Sequence, residues 1–69
     1  MHLTMVRTGE SNIIKRVGGL DKTKRFLENL GFVTGEPVIV ISAIGGNIIV
    51  NVKDSRVAIG KDMANKILV

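Results

Sequence analysis

The chain has 69 residues, about half the length of a usual domain, so it forms one domain or less. A chain this short buries only about 60% of the surface its unfolded form exposes, so apolar burial must supply nearly all of its stability. The sequence is 45% hydrophobic with nine Val and nine Ile, and it has no Cys; disulfides, thiolate zinc sites and cysteine nucleophiles are therefore excluded, as is a two-domain enzyme with a cleft between domains.

Ten Lys/Arg against six Asp/Glu give a net charge of +4, which weakly favours acidic partners without identifying one. Met1–Arg7 lacks the basic and apolar segments of a secretory signal. The apolar run Val38–Ile41 is too short to cross a bilayer, so a cytoplasmic location without membrane insertion is expected.

In chain order, the first predicted strand is Asn12–Val17, ended by Gly18-Gly19. Asp21 then caps a short helix over Lys22–Leu30, with Gly31 in the left-handed C-cap position. Thr23, Phe26, Leu27 and Leu30 form its apolar stripe, while Lys22, Lys24, Arg25 and Glu28 face water. Pro37 introduces the strongest strand, Val38–Ile44, and Gly45-Gly46 suits a tight hairpin turn. A return strand Ile48–Val52, a turn at Asp54-Ser55 and a third strand Arg56–Ile59 follow. Asp62–Ala64 reads as one helical turn and Lys66–Val69 as a closing strand. The fold class is mainly β: a small barrel with one short helix and edges nearly closed.

Strict alternation puts Val38, Val40 and Ile44 on the inner face of the long strand. Its other face, Ile39, Ile41 and Ala43, is also apolar, and Ile14 and Ile49 fall opposite their strands' core residues. One small interior cannot hold both sets. Some of Ile14, Ile39, Ile41 and Ile49 must be covered by the helix, a sister subunit or a partner.

Residues that could do chemistry are scarce. Gly18–Thr23 ends like a phosphate-binding loop, but Arg16 and Asp21 stand where such a loop needs Gly, and Asp21 would repel a phosphate. His2 is the sole histidine, at an end expected to fray, so no Ser-His-Asp set can be assembled. Glu10, Glu36 and Asp54 read as solvated loop acids, and one imidazole with no thiolate makes a poor metal site. No cofactor is expected. The only aromatics are Phe26 and Phe32, so a sheet that stacks nucleotide bases is disfavoured against a protein-binding surface.

Several short motifs recur in a telling order: Gly9, Val17-Gly18-Gly19, the helix end Arg25–Phe32, Thr34–Val40, the Gly45-Gly46 hairpin, Arg56–Gly60 and Met63–Val69. In that order and spacing the chain resembles the FeoA family, small cytoplasmic components of bacterial ferrous iron transport, departing from it in the bulk of Phe26. The resemblance implies an SH3-like barrel, shared with the C-terminal domain of iron-dependent repressors. It also implies an accessory rather than catalytic role beside FeoB, a GTPase-permease carrying Fe(II). It supplies no iron site.

Together these readings make docking the expected function. Ile39, Ile41 and Ile49, with Gly31 and Phe32 after the helix, would provide apolar contact, and Lys24 and Arg25 a polar rim. A nucleic-acid-binding barrel and a self-associating structural module, in which a homo-oligomer consumes the isoleucine face, are the alternatives.

Overall fold

A computed structural model describes residues 1–69. After a 3-10 turn over Leu3–Met5, the chain forms strands β1 (Ser11–Ile13) and β2 (Arg16–Val17), helix α1 (Asp21–Leu30), and the meander β3 (Pro37–Ile44), β4 (Asn47–Val52) and β5 (Ser55–Gly60). A single helical turn, α2 (Lys61–Ala64), and strand β6 (Ile67–Leu68) complete it. One antiparallel sheet has the order β1-β3-β4-β5, and β2 and β6 form a separate two-stranded ribbon.

The expected first strand is thus two strands with a sheet change between them. Ile14 N–H donates to Glu36 O at 2.9 Å, on the β3 side, whereas Lys15 N–H donates to Leu68 O at 2.8 Å in the ribbon. The change resets the alternation, so Ile14 and Val17 both face the core. Ile14 is fully buried, which corrects its expected place on a spare face. The chain also docks its first residues: His2 bridges to Leu68, its Nδ1 donates to Asn65 O at 2.7 Å, and Leu3 is buried in the core. His2 does not fray.

Leu20, not Asp21, is the N-cap of α1, and no side chain caps that end; Asp21 instead places its charge in the first turn, where the helix dipole favours it. The other end follows the sequence reading. Gly31 adopts φ +112°, its N–H reaching Glu28 O and that of Phe32 reaching Leu27 O, the double bond of a Schellman motif. That motif turns Phe32 inward, and Phe32 and Leu27 are both fully buried in one core. Phe26, expected in the buried stripe, is 49% exposed because α1 presents only Leu27, with Thr23 and Leu30 partly covered, to the interior.

In β3 the register steps from Val40↔Val50 to Ser42↔Ile49, two residues against one. Ile41 is the extra residue of a β-bulge, and beyond it the two faces exchange. Ile44, expected inside, therefore lies outside and is 64% exposed. The second hairpin turn is Lys53-Asp54, one residue earlier than expected, with φ of +49° and +61°, both positive as a type I′ turn requires. The core holds fourteen apolar residues and no buried polar side chain.

Candidate functional site

The outer face of the four-stranded sheet can be read row by row from the register. One cross-strand row is Ser11, Ile39, Asn51 and Arg56; the next is Ser42, Ile49 and Ala58. Ile13 and Pro37 pair at one end of the face, and Ile44 and Asn47 at the other. Val38, Val40, Val50 and Val52 fill the opposite face and the core. The outer face is thus an isoleucine surface broken by Ser, Asn and one Arg. No helix covers it: α1 puts Leu27 into the core on the inner side.

The residues expected to dock a partner divide into three groups. Ile39 and Ile49 lie on this outer face, half-buried by their neighbours, and the bulge residue Ile41 is also half-buried. Gly31 and Phe32 are buried and present nothing to a partner, because the Schellman turn that ends α1 carries Phe32 beneath the helix. Lys24 and Arg25 are exposed, but on α1. Arg25 lines a cleft with Asp21, Lys22, Phe26 and Asn29 that shares no residue with the isoleucine surface. The polar groups beside the isoleucines are instead Asn51, on the central strand β4, and Arg56, on the edge strand β5.

Sequence reading misses Ile13, which is 52% exposed, and Ile44. Both errors trace to breaks in alternation, the sheet change after Ile13 and the bulge at Ile41. The run of six residues from Val38 to Ala43 with only Ser42 polar was the available sign that this strand does not alternate simply.

A shallow cleft of about 500 Å³ opens at the edge of the surface, lined by Glu36, Pro37, Ile39, Asn51, Lys53 and Asp54. Lys53 Nζ stands 4.0 Å from Glu36 Oε1 across it. Its acids are not gathered: no group of three or more His, Asp or Glu side chains is placed to hold a metal ion. Chemically, the arrangement offers apolar area, backbone and a few hydrogen-bonding groups, which suits association.

The FeoA domain family model matches residues 1–69, the whole chain. The chain belongs to the FeoA family. FeoA from Stenotrophomonas maltophilia, solved with zinc, is 29% identical with a TM-score of 0.89, covering 100% of this chain and 88% of that one. It is described as a prokaryotic SH3 domain protein and a candidate ferrous iron transport activating factor. An iron uptake regulatory protein (FeoA) is 25% identical with a TM-score of 0.88, covering 97% and 91%. A manganese-dependent transcriptional repressor, 21% identical, shares the fold at a TM-score of 0.86, with 97% of this chain matched to 39% of that one. No curated protein matches the chain. The FeoA family is associated with ferrous iron transport, and the fold here is the SH3-like one.

Proposed function

We propose that this FeoA-family protein is a non-catalytic accessory component of ferrous iron uptake in the cytoplasm, docking on the GTPase part of a FeoB-type transporter. The supporting observation is the outer sheet face, where Ile13 and Ile44 are exposed, Ile39 and Ile49 are half-buried, and no element of the chain covers them. Covering such a face removes apolar area from water at roughly 25 cal/mol per Å². Asn51 and Arg56 sit among the isoleucines and would orient the partner rather than add much affinity. Docking influences the transporter only if the face binds one state of the GTPase domain more tightly than the other.

The test is a calorimetric titration of the chain against the transporter's isolated cytoplasmic domain, with and without guanine nucleotide. The double variant Ile39→Ser, Ile49→Ser is expected to keep its circular dichroism spectrum and lose at least about ten-fold in affinity, the equivalent of roughly 1.4 kcal/mol. Unchanged affinity in that variant overturns the assignment of the face. Equal affinity with and without nucleotide overturns the regulatory role.

A further inference from the structure

The barrel is less closed than its sequence suggests, because β5 is an open edge. It pairs with β4 alone, over six consecutive positions from Val52↔Ser55 to Asn47↔Gly60. Val52 and Ser55 flank a two-residue turn and exchange both backbone bonds, so alternation along the ladder sends the backbone groups of Val57 and Ile59 to β4. The N–H and C=O groups of Arg56 and Ala58 point away from the sheet, and no other backbone or side-chain group of the chain bonds to them. Of the usual devices that blunt an edge, Ser55–Gly60 has one charge, Arg56, and no Pro, no Lys and no bulge. The opposite edge, β1, is only three residues long.

We propose that the free edge of β5 takes an extended acidic segment of a partner protein as a fifth, antiparallel strand. Charge identifies the occupant. Arg56 is exposed and forms no ion pair within the chain, where Lys53–Glu36 is the one pair that closes. The added strand's residue opposite Arg56 stands on the outer face, where an Asp or Glu gains a cross-strand partner. The residue opposite Ala58, two positions earlier in that strand, lies over an exposed methyl group in the row that contains Ile49, which suits a larger apolar side chain. A second copy of this chain fits worse. It brings +4 to +4, and a symmetric pairing about Val57 sets the two Arg56 side chains diagonally on one face. The inference rests on β5 itself and holds whatever protein supplies the segment.

The probe is the capped peptide acetyl-Ser-Ile-Val-Glu-Val-Ser-amide, which places Ile opposite Ala58 and Glu opposite Arg56. It is titrated into the 69-residue chain while amide hydrogen exchange and chemical shifts are followed by NMR. The expected result is slowed exchange at the Arg56 and Ala58 amides. Binding should weaken about five-fold when Lys replaces Glu, and Arg56→Glu should reverse that preference. The peptide N-methylated at Ile and Glu, which cannot donate to the edge carbonyls, is expected not to bind. Absence of binding at millimolar peptide, binding that survives N-methylation, or shifts confined to other elements each overturn the proposal. So does protection of the same amides that grows with protein concentration in the absence of peptide, which would assign the edge to self-association.

Discussion

The Phe32 N–H donates to the carbonyl oxygen of Leu27 at 3.0 Å across Gly31, and both flanking side chains are fully buried in one core. Gly31 holds φ +112° at that turn, and a Cβ there would stand 3.4 Å from Lys53 Cγ and 3.5 Å from Val52 Cγ1. The added methyl of Gly31→Ala therefore meets only ordinary van der Waals contacts, and the cost comes from backbone strain at positive φ. A loss of about 1–2 kcal/mol is expected, read as a lower urea midpoint with unchanged slope. A stability equal to the parent's would mean that the turn relaxes to another conformation.

Phe26 and Leu27 are adjacent in sequence and opposite in consequence. Leu27→Ala opens a cavity in the centre of the core and is expected to cost about 2–5 kcal/mol, enough to unfold much of so small a domain. Phe26→Ser, on the water side of α1, is expected to change stability by less than about 0.5 kcal/mol. Thermal unfolding of the two variants side by side checks the orientation of the helix.

The Lys53-Asp54 turn keeps two ordinary residues at positive φ, where Asn-Gly is the preferred pair. Asp54→Gly removes the Cβ from the second position and is expected to stabilise the protein by about 0.5 kcal/mol, net of the added freedom of the unfolded chain. Chemical denaturation resolves a gain of that size when several replicates are averaged.

Glu36 and Lys53 approach only to 4.0 Å, with side chains 35% and 52% exposed. Such a pair contributes little in water. Glu36→Gln is expected to change stability by less than about 0.5 kcal/mol, with no marked dependence on added salt. A larger loss that salt abolishes would give the pair a structural role.

Much of this architecture is legible in the chain, and the exceptions have local causes. The Gly31 cap, the Gly45-Gly46 hairpin, the meander and the short turn before the last strand all follow from residues acting on their neighbours. The errors occur where the sheet breaks its own alternation. Ile14 lies beside a change of sheet that leaves no mark in the neighbouring residues. Ile44 lies beyond a bulge set by pairing with β4, whose one sign in the sequence is the run Val38–Ala43, apolar but for Ser42. Phe26 and Leu27 are equally apolar neighbours, and only the packing of α1 decides between them. For the candidate surface, the excess of isoleucine was readable and Ile39 and Ile49 fall on it. Phe32 as core is implicit in the Gly31 cap, because a Schellman turn packs the residue after the glycine against the last turn of the helix, here Leu27. Reading it as an exposed loop residue overlooks that contact. Arg56 was placed only by the register of β4 with β5.

The ribbon of β2 and β6 has a kinetic meaning. Its Arg16↔Leu68 pair joins positions 68 − 16 = 52 apart in the chain, whereas each hairpin of the meander starts from positions three apart, Ile44↔Asn47 and Val52↔Ser55. Closing the longer loop costs more chain entropy before any contact repays it, so the meander assembles early and the ribbon zips shut last. By the same reasoning the ribbon is the seam along which the native protein first opens. Its brief excursions would release the tail from Ile67 onward while the isoleucine-bearing sheet stays intact.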